Sequence, residues 1–246
     1  DPLSSEEINN AMGAQQHVDG YCIGNEGLNV RYTLPNLESA IDSLRNQTDK
    51  PVTTTERLND YYNSQELLDV GDWVFPNAHP FWSGIIDPSL AVDWTVNQLN
   101  DISSRTTRTV VFKEVGLPTE GGAGLSQQNQ NEYYRKLETR LMNPLASHTR
   151  IVHFEAFDQP WKNSFPVEPH WGFFTSDRTP KMVASPQVVH TFVPSYGTFN
   201  DLRGRVVNVT PQDYRISTYI NVNGVWWMKP TFANPLTPID SSRNWI

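Results

Sequence analysis

Three glutamates close short apolar runs: Glu26 in GYCIGNE (20–26), Glu56 in KPVTTTE (50–56) and Glu114 in TVVFKE (109–114). Parallel α/β barrels gather their reactive groups at the carboxyl ends of the strands, so these side chains would face one shared mouth. Two carboxylates across a sugar are the minimum for cleaving a glycosidic bond. One protonates the leaving oxygen, and the other attacks the anomeric carbon or activates water. Taken singly, each could equally be a polar strand terminus. The surroundings of two of them favour chemistry. Glu26 lies in Gly24-Asn25-Glu26-Gly27, an amide beside the carboxylate, with glycines that allow backbone to approach a ligand closely. Glu114 is followed by Val-Gly-Leu-Pro, a strand end running into a turn.

The elements that would position these residues alternate. Apolar, β-branched runs begin near 20, 50, 72, 109 and 151; the third is DWVFPNAH (72–79) and the fifth IVHFEAF (151–157). Between them lie stretches with helical spacing. Pro35–Leu44 carries Leu37, Ile41 and Leu44, and Pro88–Ile102 carries Leu90, Val92, Val96 and Leu99. Ser126–Leu141 carries Tyr133, Tyr134, Leu137 and Leu141 behind the glycine-rich loop 121–124. The spacing suits parallel strands with crossover helices, which predicts a (β/α) barrel, with a doubly wound open sheet as the other architecture. Near Val193 the pattern changes to alternating polar and apolar residues with an Asn223-Gly224 turn. The expected organisation is an α/β domain over 1–193 and a small all-β segment over 194–246.

Composition narrows the chemistry further. The 246 residues are 37% hydrophobic and carry net charge −8, which argues against a groove for nucleic acid or an anionic membrane surface. No apolar run approaches the roughly 20 residues needed to span a bilayer. The single cysteine, Cys22, excludes an internal disulfide framework and is expected to be a small buried hydrophobe. His17, His148, His153, His170 and His190 lack metal spacing, and GGAG (121–124) lacks the Gly-Lys-Ser/Thr of a phosphate loop, so neither metal nor cofactor is expected. Eight Trp, nine Tyr and eleven Phe suit a flat uncharged ligand such as a sugar ring.

Six blocks in order carry a resemblance: GNEGL (24–28), KPVTTTE (50–56), VFPNAHPFW (74–82), VVFKEVGLPT (110–119), FEAFDQPWK (154–162) and EPHWGFF (168–174). Over residues 5 to 190 the chain resembles glycoside hydrolase family 17, β-1,3-glucan hydrolases and transglycosylases of the retaining (β/α)8 clan. The resemblance implies a partial TIM barrel of about strands four to eight. It implies Glu26 on the fourth strand as general acid/base, and Glu114 on the seventh as nucleophile, the carboxyls about 5–5.5 Å apart. Glu26 would be protonated at rest through burial and the nearby Glu114. Asn25 would hydrogen-bond the sugar 2-hydroxyl, Glu56 other sugar hydroxyls, and His79 would orient Glu114. Phe81 and Trp82 complete the sixth-strand block, Trp161 would be an aromatic platform, and Lys162 would pair with Glu168. The family's Asp-Glu in the eighth-strand block is here Asp158-Gln159.

The expected partner is a β-glucan oligo- or polysaccharide outside the cell or at its wall. Self-association through uncovered barrel edges is a further expectation. The same catalytic pair could transfer the glycosyl unit to another sugar, and a non-catalytic carbohydrate-binding protein is the alternative from another class. In the C-terminal segment, Trp226, Trp227 and Trp245 are either a carbohydrate platform or the core of a small β domain.

Overall fold

A computed structural model describes residues 1–141, 149–231 and 233–246, with the side chains of 149 and 150 not described. His148 lies outside the described residues. The chain divides into two compact units, Asp1–Val183 and Ala184–Ile246.

In the first unit, α1 (Ser5–Gly13) leads into β1 (Tyr21–Cys22), α2 (Leu34–Gln47) and β2 (Val52–Thr53). Two six-residue helices, α3 (Leu58–Asn63) and α4 (Gln65–Val70), precede α5 (Pro88–Ser104), β3 (Val110–Val115), α6 (Gln127–Leu141) and β4 (Thr149–His153). β1 pairs parallel with β2, and β3 pairs parallel with β4. The run 72–79 lies between the two pairs and bonds to both. Asp72 N–H donates to Val52 O (2.9 Å) and Asn77 N–H to Glu56 O (3.1 Å), while Val111 N–H donates to Val74 O and Lys113 N–H to Pro76 O. It forms bridges rather than a continuous strand, and Pro76, which has no N–H, sits at its centre. The five segments therefore lie side by side in chain order. A doubly wound sheet would reverse its order at a switch point, and no reversal occurs among them.

The helices start where the sequence supplies caps. Thr33 and Asn36 form a capping box ahead of α2, and Asp87 accepts from Ser89 and Leu90 N–H ahead of α5, whose first residue is Pro88. α2 buries Leu37, Ala40, Ile41 and Leu44. α5 buries Ala91, Val92, Val96, Leu99 and Ile102, but Leu90, expected on that stripe, faces solvent. These faces pack with Val52, Val74, Val110, Phe112 and Val115 in one core, each large side chain contributing about 1.5–3 kcal/mol. α3 and α4 escape periodicity because six residues span less than two turns.

Polar side chains inside this core tie helices to strand ends. Tyr61 OH donates to Thr54 O (2.9 Å), and Tyr134 OH reaches the carbonyls of Val115 and Phe154. Gln130, fully buried on α6, donates through Nε2 to Leu117 O and Trp171 O at 3.1 Å each. Cys22 is exposed, contrary to expectation, because side chains alternate along β1 and Tyr21 takes the core side.

In the second unit, β5 (Gln187–Phe192), β6 (Arg203–Val207) and β10 (Asn244–Trp245) form one antiparallel sheet; β7 (Arg215–Val222), β8 (Val225–Lys229) and β9 (Leu236–Pro238) form another. β5 pairs with β6, so this unit begins about ten residues ahead of the boundary read from sequence. Trp245 is buried with Val206, Ile216 and Ile239 and is core, not platform. Trp226 and Trp227 are exposed and, as neighbours on one strand, point to opposite faces. Among the described residues no helix is long and apolar enough to cross a membrane.

Replacing Gln130 by Met removes the buried hydrogen bonds from Nε2 to the carbonyls of Leu117, Trp171 and Gly172. The expected cost is about 1–3 kcal/mol of stability, read as a lowered urea midpoint for the first unit.

Candidate active site

The register of the parallel segments brings their carboxyl ends to one level. Glu26 N–H donates to Thr55 O (3.0 Å), Asn77 N–H to Glu56 O (3.1 Å) and Ala78 N–H to Glu114 O (2.9 Å). Above these ends opens a cavity of about 610 Å³. Of the residues singled out in the sequence, Asn25, Glu26, His79, Trp82, Glu114 and Glu168 line it. Glu56, Phe81, Trp161 and Lys162 do not.

Each of those four has a physical reason to be elsewhere. Glu56 has no exposed surface, and its carboxylate accepts from Tyr32 OH (2.6 Å), Leu28 N–H (3.1 Å) and Thr54 Oγ1 (3.3 Å). Burial pushes the Glu56 carboxyl up, against the lowering effect of those three bonds. It braces the Glu26 loop from within. The Tyr32 hydroxyl also accepts from Asn25 N–H (2.9 Å) and Gly27 N–H (3.1 Å). The glycines serve this ring rather than a ligand: a Cβ on Gly27 would lie 2.3 Å from it, and Gly24 has φ +88°. Glu26 itself has φ 48°, a left-handed conformation costly for a side-chain-bearing residue and concentrated at functional sites. Phe81 packs edge-on against Trp82 (4.9 Å) and Trp171 (6.0 Å), behind the cavity wall. Trp161 is 72% exposed, carried outward by the turn that Lys162 N–H closes onto Gln159 O. Lys162 pairs with Glu155 (3.3 Å) instead of Glu168.

A polar chain joins the two candidate catalytic carboxylates. Asn77 Nδ2 donates to Glu26 Oε1 (2.7 Å) and lies 3.5 Å from Asn25 Oδ1. Its Oδ1 accepts from Thr55 Oγ1 (3.1 Å), which sets the orientation of the amide. Lys113 Nζ donates to Asn25 Oδ1 (3.0 Å) and to Glu114 Oε1 (2.7 Å). His79 Nε2 lies 3.2 Å from Glu114 Oε2, with the imidazole edge-on to Phe154 and Trp171. Donation to the carboxylate assigns the proton to Nε2.

The charges respond to these contacts. Burial pushes the Glu114 carboxyl up, but the His79 and Lys113 hydrogen bonds and the Lys113 charge outweigh it and hold the group below its usual value. That is the protonation state a nucleophile needs. Glu26 is exposed, so the burial expected of it is not present in the free chain. Burial pushes Glu155 up despite Lys162, with Glu114 and Glu168 adding repulsion. Gln159 also donates to Glu155, so the amide that replaces the family's glutamate stabilises a carboxylate four residues upstream. Asn77, Lys113, Glu155, Phe154 and Trp171 were not singled out in the sequence. Asn77 and Lys113 stand inside recognised blocks, but only the fold shows that they touch the carboxylates. Among the described residues no group of three or more His, Cys, Asp or Glu could hold a metal ion.

Comparison with known proteins shows what the chain is similar to. The family model of the BtgE/BtgC glycoside hydrolase domain matches residues 4–172. The btgC protein of Aspergillus niger, named for a glucan endo-1,3-beta-glucosidase, is 30% identical over 192 residues, 66% of this chain and 28% of that protein. A glucan 1,3-beta-glucosidase of Arthroderma benhamiae is 28% identical over 72% of this chain and 64% of its own length. Among solved structures, the glycoside hydrolase family 17 beta-1,3-glucanosyltransferase of Rhizomucor miehei aligns with TM-score 0.61 and 24% identity, over 74% of this chain and 72% of that one. CJP38, a beta-1,3-glucanase of Cryptomeria japonica pollen, aligns with TM-score 0.53 and 17% identity, over 70% of this chain and 76% of that one. The fold is the TIM-barrel-like α/β type, and the chain belongs to the BtgE/BtgC glycoside hydrolase domain family. It spans about 28% of the length of the btgC protein.

A carboxylate whose pKa is lowered by folding stabilises the fold above its unfolded value, and that contribution is lost as pH falls through the lowered value. The unperturbed value is 4.5, so the Glu114 contribution is complete above that pH and lost below it. Glu114→Gln is expected to flatten this part of the acid limb of stability, measured as urea midpoints between neutral and acid pH.

Proposed function

We propose that the chain cleaves β-1,3-glucosidic bonds in glucans with retention, through a covalent glycosyl-enzyme. The observation that carries the reading is the placement of Glu26 and Glu114 on one cavity, joined through Asn77, Asn25 and Lys113. Glu114, anionic, attacks the anomeric carbon as the bond to the departing sugar breaks. Glu26 gives its proton to the departing oxygen. Water then bonds to the anomeric carbon, returns a proton to Glu26 and releases Glu114 as carboxylate. Because Asn77 occupies Oε1 of Glu26, the transferable proton sits on Oε2. A sugar bound in the cavity covers the exposed Glu26. Asn25 meets the sugar 2-hydroxyl, and Trp82, half exposed beside Phe165 (5.4 Å), offers an apolar face to a ring.

The five parallel segments are read as strands four to eight of the eight-stranded barrel. The second unit is read as an accessory β module. β1 has no strand partner on its outer side among the described residues, which supports association of copies across that edge. A glucan substrate and fungal relatives named for glucan cleavage support action outside the cell or at its wall.

Transfer to a second sugar is the other reading. It is favoured by the Rhizomucor miehei neighbour, a glucanosyltransferase, one of whose active-site mutants was solved with laminaritriose. Both reactions share the first half. Products longer than the starting oligosaccharide would mark transfer.

The test is release of reducing ends from soluble β-1,3-glucan by the full chain. Glu26→Gln is expected to lower the rate by roughly 10²–10⁴-fold, and Glu114→Gln to remove turnover, with circular dichroism unchanged in both. Glucan binding without turnover that survives both substitutions would identify a carbohydrate-binding protein instead.

A further inference from the structure

Consecutive residues of a strand normally point to opposite faces, yet Lys113 and Glu114 meet through Nζ and Oε1 at 2.7 Å. The cause is a β-bulge. Between the pairs Phe112↔Ile151 and Val115↔His153 the β3 strand advances three residues while β4 advances two. The alternation of burial breaks at the same place, with Lys113 and Glu114 both half-buried between buried Phe112 and Val115. A bulge re-aims a side chain and recurs beside active sites. Here it turns Glu114 onto the face that Lys113 already occupies, so that the ammonium and the carboxylate meet.

From that position Lys113 touches two groups. Besides Glu114 it donates to Asn25 Oδ1 (3.0 Å), an oxygen that also faces Asn77 Nδ2 (3.5 Å). With donors on its oxygen, Asn25 can offer the cavity only its Nδ2 amino group.

We propose that Lys113 is a positioning residue: through the bulge it holds Glu114 as the anionic nucleophile and locks the Asn25 amide so that it donates to a sugar hydroxyl. This rests on the glycosidase reading for its purpose, but its geometry stands independently. The ammonium also favours return of Glu114 as a carboxylate when the glycosyl-enzyme breaks, since the ion pair is lost in the ester and regained on release. The other charged or titratable groups around Glu114 are His79 on the 72–79 segment, Glu26, Cys22 on β1 and Glu155 beyond β4. Lys113 is the one whose ammonium contacts the carboxylate directly.

The test follows the Glu114 carboxyl in the full chain by carbon-13 NMR titration, its signal assigned through Glu114→Gln. Lys113→Met is expected to raise the midpoint by about one pH unit or more, and Lys113→Arg to restore it towards wild type. Lys113→Gln serves as a second neutral variant should Lys113→Met fail to fold. An unchanged midpoint in a folded neutral variant overturns the proposal, and so does an equal rise in Lys113→Arg. Because the titration needs no turnover, its result is separate from the glycan assay: a shifted midpoint with no cleavage by wild type would sink the glycosidase reading and leave the positioning role standing.

Discussion

The parallel register of five chain segments is the constraint on which the site depends. Backbone bonds from Glu26 to Thr55, from Asn77 to Glu56 and from Ala78 to Glu114 bring carboxyl ends from distant parts of the chain to one level. A slip of one residue in any segment would turn its terminal side chain to the opposite face of the sheet and break the chain of contacts from Glu26 to Glu114. The helices outside the sheet serve this register. Tyr61, Gln130 and Tyr134 hydrogen-bond to carbonyls at or near the strand ends.

Three carboxylates near the site are treated in three ways. Glu56 is sealed in and hydrogen-bonded on both oxygens, so it holds a loop. Glu155 is shared between Lys162 and Gln159 beside the cavity. Glu114 keeps both a cation and an imidazole and still lines the cavity, and it alone of the three is held below its usual pKa. The balance of burial against hydrogen-bonded and charged partners thus gives carboxylates of the same chemical type different environments.

The second unit shows the same separation for tryptophan. Trp245 closes a small core with Val206, Ile216 and Ile239, while Trp226 and Trp227 stand on the hairpin β7–β8 around the Asn223-Gly224 turn. Three identical side chains in 20 residues have two environments because pairing decides which face each meets.

Residue type and local pattern by themselves determined much of this protein. Apolar residues at helical spacing, with a proline opening the first two, marked α2, α5 and α6, apolar β-branched runs marked the parallel segments, and ordered blocks pointed to Glu26, Glu114, Asn25 and His79. These signals are local, carried by neighbours within a few residues. The roles of Glu56, Trp161 and Lys162 were decided elsewhere. Whether a strand-end glutamate faces a cavity or a tyrosine hydroxyl 24 residues away depends on packing between segments. The same holds for Lys113, since a bulge exists only relative to a partner strand, and β4 pairs with β3 from the far side of helix α6. Periodicity describes one segment at a time, whereas the contacts that make this site form between segments.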